Sequence, residues 1–150
     1  MRGLIAAIGM TVVAVSPALG ADGIVTKPSA FSVAETVERL EKSARERDFV
    51  IVARIDHAAA ALKAGLELRP TVLLIFGNPK GGTPLMQSAP SIGLDLPLKA
   101  LAWEDATGRI WLAYNDPQWL AQRHGLSGQP ELVRRMSTAL DQLTDAATKR

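Results

Sequence analysis

The stretch LKALAWEDATGRIWLAY, residues 98–114, decides the fold. Two β-prone runs, Leu98 to Glu104 and Arg109 to Tyr114, flank Asp105-Ala106-Thr107-Gly108, a polar turn ending in glycine. That is the pattern of an antiparallel hairpin, on which Trp103 and Trp111 are expected to pack. Upstream, Thr71 to Phe76 is a continuous apolar run between Pro70 and Gly77. It reads as a strand buried on both faces, and so as the centre of the sheet. Phe49 to Ile55 is a further β-rich run, and a short apolar run, Gly23 to Thr26, precedes Lys27-Pro28. Residues 57–70 lie between the strands ending at Ile55 and beginning at Thr71, and they suit either a parallel crossover or an antiparallel return.

Helical signals surround these strands. Ser32-Val33-Ala34-Glu35 spells a capping box, and Val33, Val37, Leu40 and Ala44 recur at helical spacing behind it. Asp56 can cap the alanine-rich segment His57 to Ala64, which Gly65 ends. Thr83 and Pro84 are expected to start a short helix through Gln87, after a loop from Gly77 to Thr83; residues 88–97 look irregular. Asp116-Pro117 opens another helix, closed by Gly125. Pro130 opens the last, with Val133, Met136, Leu140, Leu143 and Ala147 along one stripe. The sum is an α+β two-layer sandwich, with a mostly antiparallel sheet covered on one face by two main helices, the first and the last.

Composition bounds what such a chain can do. Of 150 residues, 47% are hydrophobic and 21% charged, as in folded soluble domains. Basic and acidic residues alternate from Glu38 to Asp48, and no one-signed stripe forms, so nucleic acid is not an expected partner. There is no cysteine, which removes thiol nucleophiles, zinc–thiolate sites and covalently attached haem. With two histidines, no metal site is expected, and no motif names a cofactor; a histidine with Met86 on a non-covalent haem has no support in the spacing. No Gly-x-Ser-x-Gly elbow or dinucleotide fingerprint occurs.

The N-terminus has the form of a secretory leader. Arg2 precedes an apolar stretch from Leu4 to Val15, and Ala18 and Gly20 fit a peptidase site before Ala21. The stretch is short for a bilayer span and carries Pro17 near its end. Residues 1–20 are therefore expected to be a signal peptide, and residues 21–150 one domain, periplasmic or secreted, with no membrane span once the leader is removed.

A longer pattern runs through the domain. Ile55-Asp56-His57, Ala64-Gly65-Leu66, Arg69-Pro70, Phe76-Gly77-Asn78-Pro79-Lys80, Gly82-Thr83-Pro84-Leu85-Met86, Asp95-Leu96-Pro97-Leu98 and Tyr114-Asn115-Asp116-Pro117 together resemble the bacterial family catalogued as domain of unknown function 302. The resemblance covers roughly residues 23–147. It implies a small α+β fold with an antiparallel-rich sheet and a homodimer, and it implies no reaction, cofactor or catalytic residue.

Candidate site residues are those whose chemistry exceeds a packing role. Asn78, Lys80, Gly81, Gly82 and Thr83 could present backbone amides and an ammonium to a small anionic ligand, although the glycines and Asn78-Pro79 equally suit a tight turn. His57 beside Asp56 could move a proton, and would share a sheet edge with Lys80 only if the two preceding strands are parallel. Glu104 could pair with Arg109 or act as a site acid near Tyr114. Asp95 reads as an Asx-turn residue and His124 as a helix C-terminal cation. The leading expectation is an extracytoplasmic domain that binds a small ligand or a partner without catalysis. The alternative is an enzyme with His57 or Glu104 as general base and Lys80 stabilising an anionic substrate.

Overall fold

The computed structural model describes residues 19–20 and 23–150. In chain order the elements are β1 (Leu19–Gly20), β2 (Ile24–Ser29), α1 (Val33–Arg45), β3 (Val50–Asp56), α2 (His57–Lys63), β4 (Thr71–Gly77) and α3 (Pro79–Ser88). A 3-10 helix (Pro90–Leu94) then precedes β5 (Leu98–Glu104), β6 (Ile110–Asn115), α4 (Pro117–Arg123) and α5 (Pro130–Thr148). Apart from Leu19–Gly20, the expected leader lies outside the described residues.

The hairpin is built on one carboxylate. Asp105 Oδ1 accepts from the Thr107 and Arg109 amides at 2.8 and 3.0 Å, and Oδ2 accepts from the Trp111 indole at 2.7 Å. The hydrogen bonds from Trp111 and then Thr107 hold the Asp105 carboxyl far below the usual carboxylate range. Gly108 sits at φ +81°, a left-handed turn position that suits glycine. Across the resulting β5–β6 ladder, Trp103 stands directly opposite Trp111.

The strands form one sheet in the order β1-β2-β6-β5-β4-β3, with every neighbouring pair antiparallel. This settles the connection through residues 57–70 as an antiparallel return. It also corrects the position of β4, which lies next to the edge strand β3 and not at the centre. Its residues alternate: Val72, Leu74 and Phe76 are buried, whereas Thr71, Leu73 and Ile75 are half-buried. A run of apolar residues without alternation suggested two covered faces; only one is covered, and Leu73 and Ile75 look out from the other.

The covered face carries α1 and α5. The capping box forms as spelled, with the Ser32 hydroxyl accepting from the Glu35 amide and the Ser32 amide donating to the Glu35 carboxylate. Val37 and Leu40 of α1, Leu140 and Leu143 of α5, and Leu74, Phe76 and Leu112 of the sheet are buried together. Lys27 ties β2 to α5: its ammonium donates to Asp141 Oδ1 at 2.5 Å and to Asp145 Oδ1 at 2.7 Å. Burial lowers the Lys27 pKa, but these two carboxylates outweigh it and raise the value above the ordinary one. Strand β2 thus continues through Lys27 and Pro28, where the sequence had suggested a stop.

Two local readings change. The expected loop from Gly77 to Thr83 is mostly helix: Gly77 ends β4, Asn78 is the N-cap, its side chain accepting from the Lys80 amide at 2.9 Å, and Pro79 to Thr83 make the first half of α3. Pro84, expected as an N-terminal residue, lies inside α3. Residues 88–97, expected to be irregular, contain the 3-10 helix.

Candidate functional site

Where the Gly77 end of β4 meets α3, the fold leaves a cleft of about 500 Å³. One wall is Phe49, Val50 and Val52 at the start of β3. Another is the N-terminal half of α3 with Met86. The middle of α5 closes the third side through Leu132, Arg135, Met136 and Ala139, and Leu96 to Leu98 run along the base. Val50 at 56% exposure, Val52 at 57% and Met86 at 38% are large apolar side chains left in water around this one hollow. A pocket of this size with an apolar lining is what a small organic ligand requires. A second hollow, of about 510 Å³, lies between α4 and the start of α5 and is lined by Gln118, Gln122 and Gln129 among others; it holds none of the candidate residues.

The cleft gathers four of the sequence candidates: Asn78, Gly81, Gly82 and Thr83. The glycines keep the α3 wall low. A Cβ on Gly82 would touch Leu96 at 3.7 Å and Met86 at 4.0 Å, and one on Gly81 would meet nothing. The anion cradle expected here is taken up internally. The Lys80 amide goes to the Asn78 side chain, and the Gly81 and Gly82 amides go to the Asn78 carbonyl at 3.0 and 2.9 Å. The Asn78 side-chain amide donates to the Asp48 carbonyl at 3.3 Å. Lys80 is exposed on the same turn and does not line the cleft.

The remaining candidates are elsewhere. Asp56 pairs with Val72 and Trp103 with Thr71, so His57 and Glu104 lie at the Thr71 end of β4. Lys80 follows the Gly77 end, roughly 20 Å away along the strand at about 3.3 Å per residue. The arrangement of a His57 or Glu104 base with Lys80 therefore does not form. Glu104 is an ion pair, but its partner is Arg69 at 3.1 Å; Arg109 stacks over the Trp111 ring at 4.7 Å. Asp56 caps α2 through the Ala59 amide at 2.8 Å. Tyr114 is buried on the helix-covered face beside Lys27, and burial raises its hydroxyl pKa.

One polar cluster was not foreseen. The His124 ring, 5% exposed, bridges Asp95 Oδ2 through Nε2 at 2.6 Å and Ser91 Oγ through Nδ1 at 3.0 Å, with Arg123 at 3.5 Å from the same Asp95 oxygen. Asp95 thus faces α4 and not its own backbone. None of Ser91, Asp95 and His124 lines the cleft; the cluster fastens the 3-10 helix to the C-terminus of α4. The cleft residues contributed by α5 were also missed. Met136 belongs to the core stripe already read in the sequence, Leu132 and Ala139 widen it, and the width of that apolar arc was the available signal.

Among the described residues, no group of three or more histidine and carboxylate side chains could hold a metal, and no helix is long and apolar enough to cross a membrane.

Comparisons with known proteins agree with this architecture. An uncharacterised DUF302 protein from Bacillus stearothermophilus superposes with a TM-score of 0.76 over 85% of this chain and 99% of its own, at 21% identity, which shows the same fold. Two curated relatives, from Brucella suis biovar 1 (strain 1330) and Brucella abortus biovar 1 (strain 9-941), are each 50% identical over 126 residues, 83% of this chain. Both carry the name fluoride-specific ion channel FluC 1, and this chain spans about half of their length, 50% and 47%. The profile of the family described as domain of unknown function DUF302 matches residues 25–143. With that match across most of its length, the chain belongs to the DUF302 family.

Proposed function

We propose that the chain is an exported, dimeric, non-catalytic domain that binds a small apolar ligand in the cleft between β3, α3 and α5. The observation that carries this reading is the cleft, around which Val50, Val52 and Met86 stay exposed. Contiguous exposed apolar surface on a folded domain marks a binding site more often than it marks nothing. The acid–base groups favour binding over catalysis: Glu104 is spent on Arg69, Asp56 on a helix cap, and Asp95 on His124, all outside the cleft.

Export rests on the leader-like N-terminus, and dimerisation on the family resemblance. The Brucella relatives add a membrane context. An ion channel must cross a bilayer, and no helix among the described residues of this chain is fit to do so. On this reading the domain shared with those relatives serves beside a membrane, and the channel activity in their name is not carried over to this chain. The test is a native mass spectrum of the protein purified from the periplasm of its own cells. The expected result is a dimer whose chains begin at Ala21 and retain a small molecule, lost on Met86→Trp. Chains retained in the cytoplasm with an intact N-terminus, or a protein free of ligand that gains no thermal stability from any apolar compound, would overturn it.

A further inference from the structure

We infer that the cleft is selective for an anionic amphiphile, a molecule with an alkyl or similarly apolar body and a carboxylate-like head; this rests on the binding role proposed above. The argument is one of charge complementarity. Among the described residues lining the cleft, Arg135 is the only charged one, and none is acidic. The other polar lining groups are Asn78 and Thr83, and both functional atoms of the Asn78 side chain are already engaged, by the Lys80 amide and the Asp48 carbonyl.

Arg135 is also held only by a long ion pair. Glu131, one turn before it on α5, is claimed by Arg134, whose Nε and Nη2 donate to the two carboxylate oxygens at 3.0 and 2.6 Å. That fork, with the hydrogen bond from Arg134 as the largest cause, lowers the Glu131 pKa and fixes its charge on the neighbouring arginine. Arg135 is left with a 3.9 Å approach to Glu131, and its side chain is 68% exposed at the mouth. A guanidinium offers a planar pair of donors that matches a carboxylate, and its methylene stem adds apolar surface to the wall. The apolar body then lies against Val52, Met86, Leu96 and Met136, with the head at Arg135 and the exposed Thr83 hydroxyl within the same lining.

Titration calorimetry on the purified chain with decanoate, decanol and decyltrimethylammonium tests this. Decanoate is expected to bind at least tenfold more tightly than the other two. Arg135→Gln should remove about that factor for decanoate and leave decanol unchanged, since a charge-assisted pair is worth about one decade or more. Met86→Trp, at an exposed position that leaves the core intact, should abolish binding of all three. Equal affinity for decanoate and decanol, or an Arg135→Gln variant with unaltered preference, overturns the anionic selectivity while the binding role stands. Failure of all three probes to bind the unaltered chain overturns both. A Met86→Trp change that alters only the dimer fraction overturns them as well, and shows a second copy to be the occupant.

Discussion

The two ends of β4 differ in kind. At the Thr71 end, the charged side chains that drew notice in the sequence have partners: Arg69 with Glu104, Asp56 with the first turn of α2, and Asp105 with the hairpin amides and the Trp111 indole. At the Gly77 end, Val50, Val52 and Met86 stand in water around a cleft, whereas the exposed Leu62, Leu66 and Leu68 at the other end line neither hollow. The polar end is chemically conspicuous but self-satisfied. The apolar end is plain in sequence and incomplete in structure. Incompleteness, more than reactivity, marks the site.

The contrast can be broken most strongly from beneath the cleft. Phe76 is fully buried and meets Phe49 edge-on at 5.8 Å between ring centroids. Phe76→Ala is expected to destabilise the fold by about 3–5 kcal/mol in urea denaturation, and to loosen the Phe49 wall so that ligand-induced thermal stabilisation disappears.

At the opposite end, Asp105 gives a pH test. Its folded pKa is depressed, so its contribution is fully present above the ordinary carboxylate value of about 3.9 and fades as the pH falls through the folded value. Thermal melts between pH 2 and pH 6 should therefore show a smaller loss of stability on acidification in Asp105→Asn than in the unaltered chain, with ligand binding at neutral pH the same in both. An equal acid slope in the two proteins would show that the turn carboxylate is not the group responsible.

Gly81 sharpens the comparison from the cleft side. It is helical, and a Cβ there meets nothing within 4 Å, so Gly81→Ala should raise stability by about 0.5–1 kcal/mol in urea denaturation while adding a methyl to the cleft wall. The smallest effect belongs to the exposed Arg69–Glu104 pair. Arg69→Ala should change stability by about 0–1 kcal/mol and binding not at all, as read by denaturation and calorimetry.

Much of the framework was legible because local chemistry dictated it. The 98–114 hairpin, the Ser32 capping box, the Asp56 and Asp116 caps and the α5 stripe depend on neighbouring residues, and all are present. The start of α3 was misjudged because glycine and proline density reads as loop, while an asparagine cap with Pro79 behind it suffices to begin a helix. The place of β4 in the sheet was misjudged because pairing order is a property of the whole chain. Four cleft residues were found through an unusual motif, though for an anion cradle that the helix uses up itself. Val52 and Arg135 were not found, since they lie on β3 and α5 and share a surface with α3 only when the three elements are assembled.

The attachment of β2 bears on timing. This strand holds the N-terminal end of the domain, yet its ladder partner is β6 and its lysine reaches α5, while the Ala30 amide donates to the Thr148 carbonyl at 2.9 Å. A ribosome that has just completed Ser29 must add about eighty more residues before the partner strand exists, roughly 4–16 s at usual elongation rates. Through that interval, and until α5 follows, residues 24–29 lack their β6 ladder and the α5 carboxylates that hold Lys27. Strand β2 is therefore among the last to be closed into the sheet, although it is made before every α-helix of the domain.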